Sequence, residues 1–373
     1  MAKFFIQIAV IRGDGIGPDV IDATLAVVEA ACARVGGFRL NCEDLHAGAA
    51  YFRETNRDIA PGAEDAAGKA DAILLGAIGL PAVRHADRTE ISPHLRLREI
   101  FELYAGVRPA KAYPNGPQRL ADPRSAGIDL VILRESTEGL FYSAAVHNRS
   151  PVVNNEEVQD ILRVTRRTTE KLHDFGLRLA AKRRERGGKG HVTCVDKANV
   201  FHSMALFRKI FDERAAKFPE ISTGYDYVDA AALNLIRRPW EFDVLVMENI
   251  FGDILSDLAG GLVGGMGMAA CAEIGDQHGL FQPAHGSAPD IMGQDKANPL
   301  AAILSGALML DYLAEKSGHA PLADAARMIE TAVEEGFAAK RLRPMEFGGD
   351  MGTKAVAREV IELVKSDAAR SAP

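Results

Sequence analysis

The stretch FDVLVMENIFGDILSDLAGG, from Phe242 to Gly261, joins an apolar run of strand length to a helical pattern. Two aspartates, Asp253 and Asp257, follow the apolar run and stand four residues apart. Residues at this spacing share one face of a helix, so the two carboxylates are expected to point the same way. They are either solvated surface groups or they face something positive.

The same alternation of short apolar runs and longer amphipathic stretches extends along the chain. Short runs rich in Val, Ile and Leu between helical patterns predict an α/β fold with a mostly parallel sheet. After Asp311, AARMIETAVEEGFAA and TKAVAREVIELVKSD predict further helices. The earlier runs and the stretches that follow them are FIQIAVI with PDVIDATLAVVEAACARVG, ADAILLGAIG with LRLREIFELYAGVRP, GIDLVILRES with NEEVQDILRVTRRTTEKLHDFG, and GHVTCVD with ANVFHSMALFRKIFDERAAKFP.

The composition is that of a globular protein, since 47% of the 373 residues are apolar and 25% are charged. The net charge of −7 argues against a broad nucleic-acid surface. No apolar run has the length of a membrane span. The four cysteines are widely spaced, which favours reduced thiols over a disulfide framework or a zinc site. We therefore expect a cytoplasmic protein.

Two loops have features of nucleotide sites. RGDGIGPDV follows the first predicted strand and resembles a dinucleotide fingerprint whose third glycine comes one residue early; a tight strand–helix turn is the alternative. HGSAPDIMGQDKANP, from His285 to Pro299, is a long polar loop that could hold an adenine and a ribose. Its Asp290 could accept both ribose hydroxyls and would repel a 2′-phosphate, which favours NAD over NADP.

Three arginines, Arg98, Arg108 and Arg134, occur where strands or helices are predicted to end. The ends of parallel strands are where α/β proteins bind ligands, and guanidinium groups grip carboxylates in bidentate fashion. Taken singly, each arginine is an ordinary surface residue. If the three converge, they indicate a substrate with at least two carboxylates.

Further charged residues follow other predicted strands. Lys197 could bind a substrate oxygen or act as a base, and Asp229 lies at a strand-to-helix switch in YVDAAAL. A third carboxylate beside Asp253 and Asp257 would repel them strongly unless a divalent cation lay between. Ligands that are all oxygen indicate Mg²⁺ or Mn²⁺ and not zinc.

Together, the motifs resemble those of one family, the β-decarboxylating dehydrogenases, whose members act on 3-isopropylmalate, isocitrate, homoisocitrate, tartrate and D-malate. The resemblance extends from Ile11 to about Gly352, and NIFGDILSD and HGSAPDI are its most specific parts. The motifs in order are GDGIGP, LREIFELYAGVRP, LRESTEG, VDKAN, YVDA, NIFGDILSD and HGSAPDI followed by ANP.

The resemblance implies an isopropylmalate dehydrogenase-like two-domain fold with a mostly parallel sheet flanked by helices. Residues 1–103 and 264–373 would form a large, discontinuous cofactor-binding domain. Residues 104–263 would form a small domain with the dimer interface and the metal and substrate residues. It also implies an obligatory homodimer with shared active sites.

The resemblance also implies the roles of site residues. Arg98, Arg108 and Arg134 match the residues that hold the malate carboxylates. Asp253 and Asp257 match the ligands of Mg²⁺ or Mn²⁺, and Asp229 of the neighbouring subunit matches a third ligand. Lys197, also from the neighbouring subunit, matches the catalytic lysine, and Asp229 is counted among the catalytic residues as well. The NAD loop is matched by His285, Gly286, Ser287, Ala288, Asp290, Ile291 and Asn298.

In the implied reaction, a 2-hydroxy acid loses its hydroxyl proton with the help of Lys197 and transfers a hydride to the nicotinamide. The β-keto acid then loses CO₂, and C3 is reprotonated by an acid. The family usually places a tyrosine seven residues after Arg134, where this chain has Phe141, which cannot donate a proton. Either the adjacent Tyr142 serves as the catalytic acid or the step uses water. If Tyr142 points away, we expect weak decarboxylation or weak product protonation.

The segment that sets specificity points in two directions. Ser92 lies where isocitrate enzymes also carry a serine, His94 follows it, and PAVRHADRTE upstream adds two arginines and a histidine. These groups favour a polar or acidic substituent, whereas NIFGDILSD and HGSAPDI lean towards the isopropylmalate enzymes. We expect a 3-substituted malate of the 3-isopropylmalate type, with tartrate or D-malate and isocitrate or homoisocitrate as alternatives. From another class, the alternative is a non-catalytic binding or regulatory member of the family.

Overall fold

The computed structural model describes residues 4–144 and 148–366. With the strands numbered along the chain, ten of them form one sheet in the order β2-β1-β3-β12-β11-β4-β5-β10-β8-β9. The strands β6 and β7 form a separate pair. Their bounds are β1 Phe4–Ile11, β2 Phe38–Asp44, β3 Ala72–Leu75, β4 Ala105–Lys111, β5 Asp129–Glu135, β6 Val152–Val153, β7 Val158–Gln159, β8 His191–Asp196, β9 Ser222–Tyr227, β10 Val244–Met247, β11 Ala270–Ile274 and β12 Gly279–Pro283.

Helices cover the sheet. None of the helices in the described part of the chain is long and apolar enough to cross a membrane. Their bounds are α1 Gly17–Val35, α2 Ala49–Thr55, α3 Ala63–Lys69, α4 Pro93–Ile100, α5 Arg166–Glu185, α6 His202–Ala215, α7 Val228–Arg237, α8 Asn249–Leu262, α9 Leu300–Ser317, α10 Ala320–Ala338 and α11 Thr353–Lys365.

The sheet is mostly parallel, as the sequence predicts. Six of its neighbouring pairs are parallel, and the antiparallel pairs are β11–β12, β11–β4 and β4–β5. Strands from residues 4–75 and 270–283 occupy one half of the sheet, and strands from residues 105–247 occupy the other. The two halves meet only where β11 pairs with β4.

Helix α9 shows why the strands and helices pack as they do. All of its residues from Leu300 to Ala307 are buried, and it packs against α1, α10, β11 and β12. A helix that is apolar around its circumference is stable only inside a core. In the other half of the sheet, α8 packs Leu255 and Ala259 with Leu235 of α7 and with Leu245 and Met247 of β10. The α8 aspartates are therefore held on a helix fixed to the sheet.

Two predicted stretches differ from the structure. LRLREIFELYAGVRP is helical only up to Ile100, because Glu102 adopts a φ of 46° and the chain then enters β4. In NEEVQDILRVTRRTTEKLHDFG the helix begins at Arg166, and the preceding part carries β7, which pairs with β6. The helical interpretation of that part was therefore wrong. Val153 and Val158 in this strand pair are 70% and 62% exposed.

Candidate active site

Helix α8 begins directly after β10 and carries Asp253 and Asp257 on successive turns. The carboxylate of Glu248 caps the helix by accepting hydrogen bonds from the backbone N–H groups of Ile250 and Phe251 at 3.1 and 3.3 Å. Burial, followed by the negative charge of Asp253, raises the pKa of Asp257. The two carboxylates therefore repel each other, and a bound divalent cation would relieve this repulsion.

Arg134, near the end of β5, reaches the same helix. Its Nε and Nη2 donate to Oδ1 of Asn249 at 2.9 and 2.7 Å, and its Nη1 forms an ion pair with Asp253. Asn249 in turn donates from Nδ2 to the backbone carbonyl of Glu138 at 3.0 Å. Burial, followed by the charge of Arg98, lowers the pKa of Arg134 to about 10, so the guanidinium keeps its charge at neutral pH. A carboxylate-binding group thus lies beside a predicted metal ligand.

Arg98 and Arg108 converge on a residue that was not predicted, Glu273 of β11. Its Oε1 lies 2.8 Å from Nη2 of Arg98 and 3.2 Å from Nη2 of Arg108, and the carboxylate is fully buried. Burial alone would raise the pKa of Glu273, but the charges of Arg98, Arg108 and Arg134 lower it to about 2. The three predicted arginines therefore form one cluster around a permanent negative charge.

The prediction that all three arginines lie at strand or helix ends is wrong for Arg108. It lies inside β4, which is antiparallel to both of its neighbours, β5 and β11. The cluster forms because β4 and β11 are adjacent in the sheet, although Arg108 and Glu273 are 165 residues apart in sequence. A charged residue in the otherwise apolar run ACAEI, Ala270 to Ile274, was the signal that could have indicated Glu273.

The predicted specificity residues Ser92 and His94 lie at the start of α4, the helix that carries Arg98. Nδ1 of His94 is buried without a hydrogen-bond partner, and burial, followed by the charge of Arg98, lowers its pKa to about 3. His94 is therefore a neutral imidazole beside the arginines. The upstream Arg84 forms an ion pair with Glu90 at the surface.

Phe141 and Tyr142 turn to different sides. The guanidinium carbon of Arg134 lies 4.9 Å from the ring centre of Phe141. The ring of Tyr142 instead contacts the guanidinium groups of Arg163 and Arg149, at 4.1 and 4.8 Å from their Cζ atoms. The structure thus brings Phe141 to the arginine cluster, and it does not bring the predicted acid Tyr142 there.

Lys197 follows β8 and Asp229 follows β9, and the two residues form a pair separate from the arginine cluster. Nζ of Lys197 lies 2.6 Å from Oδ1 of Asp229 in the first turn of α7, and the Asp229 side chain is 70% exposed. Within residues 4–144 and 148–366, no group of three or more His, Cys, Asp or Glu side chains could hold a metal ion. A single chain therefore does not bring Asp229 together with Asp253 and Asp257, and the assignment of this ligand to a second subunit stays a prediction.

The two predicted nucleotide loops pack against each other. The backbone N–H of Ile16 donates to the carbonyl of Ser287 at 2.8 Å, and a Cβ on Gly15, which has a φ of 57°, would lie 2.0 Å from that oxygen. Only glycine allows this approach. The carboxylate of Asp14 accepts hydrogen bonds from the backbone N–H groups of Ala49, Ala50 and Gly79 at 2.7–2.8 Å. These contacts fix both loops at the carboxyl end of β1.

The remaining residues of the second loop differ in accessibility. Gly286, Ala288 and Asp290 are exposed, whereas the Nε2 atom of His285 is buried without a hydrogen-bond partner. Ile291 packs beside a small apolar cluster that contains Ile16 and Val20.

Asn298 is buried at the start of α9. It donates to Glu346 at 2.9 Å and accepts from the backbone N–H of Leu300 at 3.2 Å. These contacts engage both ends of its side-chain amide. The role of this loop in cofactor binding stays a prediction.

Known proteins with similar sequences and similar structures identify the relatives of this chain. The protein family described as isocitrate/isopropylmalate dehydrogenase matches residues 7–364. A 3-isopropylmalate/3-methylmalate dehydrogenase of Methanocaldococcus jannaschii is 38% identical over 97% of this chain and 99% of its own length. A 3-isopropylmalate dehydrogenase of Moorella thermoacetica is 41% identical over 82% of this chain and 85% of its own. The crystal structure of isocitrate dehydrogenase from Methylococcus capsulatus superposes with a TM-score of 0.82 at 33% identity, covering 97% of this chain and all of that one.

Proposed function

Because the chain belongs to the isocitrate/isopropylmalate dehydrogenase family and is a β-decarboxylating dehydrogenase, we propose that its substrate is 3-isopropylmalate. We further propose that it uses NAD and Mg²⁺ or Mn²⁺ and works as a homodimer with shared active sites. The observation that carries the proposal is the contact of Arg134 with Asp253, since it joins the carboxylate-binding cluster to the candidate metal ligands. Several relatives named 3-isopropylmalate dehydrogenase support the choice of substrate.

The donor set fits a hard divalent cation. Asp253 and Asp257 offer carboxylate oxygens one helical turn apart, and burial, followed by the charge of Asp253, raises the pKa of Asp257. The nucleotide loop fits NAD, because His285 has an unpartnered buried nitrogen and Asp290 an exposed carboxylate. Asp253 and Asp257 would hold the cation, which would supply Lewis-acid chemistry when bound, and the loop from His285 would hold NAD, which would supply a hydride acceptor.

The residues of the chain provide binding, orientation and proton transfer. Arg98, Arg108 and Arg134 orient the two malate carboxylates, and Asn249 holds the Arg134 guanidinium through two hydrogen bonds. Lys197 of the second subunit, which Asp229 orients through the contact at its Nζ, accepts the C2 hydroxyl proton when the amine is in its neutral form. We propose that water protonates C3 after CO₂ leaves, which is supported by the placement of Phe141 over Arg134 and of Tyr142 between two other arginines.

A homodimer is supported by an exposed apolar surface beside the catalytic pair. Leu233 and Ile236 of α7 and Ile254 of α8 are 54%, 45% and 61% exposed, although soluble proteins rarely leave contiguous apolar side chains in water. Val153 and Val158 of the β6–β7 pair are also exposed, and an isolated two-stranded pair is marginally stable alone. A second copy that covers these side chains would bring its Lys197 and Asp229 towards Asp253.

The two-domain organisation and the location are also proposals. The division of the sheet at β11–β4 supports a large domain of residues 1–103 and 264–373 and a small domain of residues 104–263. The protein has no disulfide among its described cysteines, which supports a reducing, cytoplasmic location.

The substrate proposal is tested by NADH formation with purified protein and Mn²⁺. The panel contains 3-isopropylmalate, D-malate, tartrate, isocitrate and homoisocitrate, each with NAD and with NADP. We expect the highest kcat/KM for 3-isopropylmalate with NAD. A higher value for another acid would replace the proposed substrate, and the absence of NADH with all five, while NAD still binds, would indicate a non-catalytic protein.

A further inference from the structure

Glu273 is an unusual component of a site that binds anionic substrates. Its carboxylate is fully buried and its Oε1 contacts both Arg98 and Arg108 at 2.8 and 3.2 Å. A buried carboxylate is costly without compensation, and here two guanidinium groups compensate it at once. Glu273 therefore neutralises part of the positive charge that the cluster would otherwise offer to a ligand.

The charges near the cluster can be counted from the contacts. Among the described residues, the carboxylates in ion pairs with the three arginines are Glu273 and Asp253. Asp253 and Asp257 together balance one divalent cation, and Lys197 and Asp229 balance each other in their ion pair. The three arginines and Glu273 then leave two net positive charges for the substrate.

We propose that Glu273 is a specificity-determining residue that sets this charge and makes the site select dianionic over trianionic acids. The inference rests on the proposed function, because it assumes that the arginines hold the substrate carboxylates. A malate with an uncharged substituent carries two carboxylates, whose two negative charges balance the two net positive charges of the site. A third carboxylate, as in isocitrate, would add an unpaired negative charge next to Glu273 in a site of low dielectric.

In the described part of the chain, the cations that lower the pKa of Glu273 are the three arginines of the cluster. His94 is neutral, and its neighbours Arg98 and Arg108 already share the Glu273 oxygen. Upstream, the ion pair with Glu90 occupies Arg84. His94 and Arg84, two of the groups on which the sequence-based preference for a polar or acidic substituent relied, therefore offer no unpaired positive charge.

The test measures ligand binding by calorimetry, which does not depend on turnover. Wild-type protein with Mn²⁺ is titrated with methylsuccinate as the dianion and propane-1,2,3-tricarboxylate as the trianion at one ionic strength. We expect the dianion to bind at least about tenfold more tightly, and Glu273→Gln to reduce this preference by about tenfold, since one unit of charge changes beside the ligand. In parallel, kcat/KM for isocitrate relative to 3-isopropylmalate should rise in Glu273→Gln.

The control variant is Glu334→Gln, which removes a carboxylate of α10 from an exposed ion pair with Lys111 of β4 and should leave both affinities unchanged. Equal or tighter binding of the trianion by wild-type protein would overturn the proposal, and this comparison stands even if Glu273→Gln does not fold. If Glu273→Gln changed the affinities for the dianion and the trianion by the same factor, the proposal would also be overturned. Glu273 would then have a structural role only. Failure of the proposed function is distinguishable, because it appears as missing NADH formation in wild-type protein.

Discussion

The arginine cluster and the Lys197–Asp229 pair are two charged regions of the same chain with opposite environments. In the cluster, Arg134 and Glu273 have side chains that are 2% and 0% exposed, and their partners are fixed by the sheet. In the pair, Asp229 is 70% exposed and contacts only Lys197 among the described charged residues. The comparison teaches that the contacts of the arginine cluster are complete within one chain, whereas the Lys197–Asp229 pair lies apart from the cluster and is partly open to solvent.

The largest effect is expected for Lys197→Ala. Loss of the base should reduce kcat by about a thousandfold, because general base catalysis contributes roughly 10²–10⁴. NAD affinity, measured by fluorescence titration, should stay unchanged. Lys209→Ala, which changes an exposed lysine of α6, is the control and should keep full activity.

The same variant separates a shared site from a site within one chain. Inactive Lys197→Ala and Asp253→Asn proteins, unfolded and refolded together, should regain roughly a quarter of wild-type activity, since half of the randomly formed dimers would carry one intact site. No recovery on mixing, with hybrid dimers present in the sample, would mean that Lys197 and Asp253 of each site come from one chain, and this would contradict the difference between the two regions.

A smaller effect, this time on stability, is expected for Glu273→Ala. It leaves two buried guanidinium groups without their anion, so the free energy of unfolding should fall by roughly 3–5 kcal/mol. Asp229→Ala should leave the urea midpoint almost unchanged, because its ion pair is exposed. Comparable losses in the two variants would mean that burial does not distinguish the regions.

Asn249→Ala should affect substrate binding through Arg134. The guanidinium loses the acceptor of two of its hydrogen bonds and keeps only the ion pair with Asp253. We expect KM for the substrate to rise about tenfold, in line with the loss of about 1–3 kcal/mol for a buried charged group left unpaired. Steady-state kinetics at saturating Mn²⁺ measure this, and a change in kcat alone would argue against a positioning role.

The smallest effect concerns pH. Burial lowers the folded-state pKa of His94 to about 3, below the ordinary value of 6.5, so the unfolded chain binds a proton that the folded chain does not. The stability that this histidine contributes is present above pH 6.5 and is lost as pH falls from 6.5 towards 3. In that window His94→Gln should reduce the slope of unfolding free energy against pH by up to about 1.4 kcal/mol per unit.

His173 is the internal reference for that measurement. It is fully buried outside the cluster, its Nε2 donates a hydrogen bond to the backbone carbonyl of Phe207, and burial lowers its pKa to about 3 as well. His173→Gln should therefore change the pH slope with the same sign. A slope that steepens in His94→Gln would show that the imidazole is protonated in the folded protein.

The fold was predictable because the decisive signals are local. The strand-to-helix pattern of Phe242 to Gly261 appears in the structure as β10 and α8, and the family resemblance drawn from the motifs is confirmed by the match to residues 7–364. The boundary between α4 and β4 was missed, because LRLREIFELYAGVRP remains apolar across the turn at Glu102. Hydrophobic periodicity does not distinguish a helix from the strand that follows it over so short a stretch.

The site was predictable only where a single stretch carries the chemistry. The spacing of Asp253 and Asp257 places both on one face of α8, but Glu273 contacts arginines that lie more than 160 residues away in sequence. The direction of Tyr142 was open for a different reason, because adjacent side chains in a 3-10 turn diverge and the sequence does not specify which one faces Arg134. Long-range pairing and local side-chain direction both require the folded chain.

Gly106 gives the cluster an evolutionary signature. It pairs with Glu273 across β4 and β11, and a Cβ at this position would lie 3.0 Å from Oε2 of Glu273 and 2.6 Å from Oγ of Ser136. The glycine and the carboxylate therefore form a matched pair, in which the missing side chain makes room for the buried one. In related chains, a larger residue at position 106 should occur together with a shorter or uncharged residue at position 273, so covariation at these two sites would mark the branches that accept a different substrate charge.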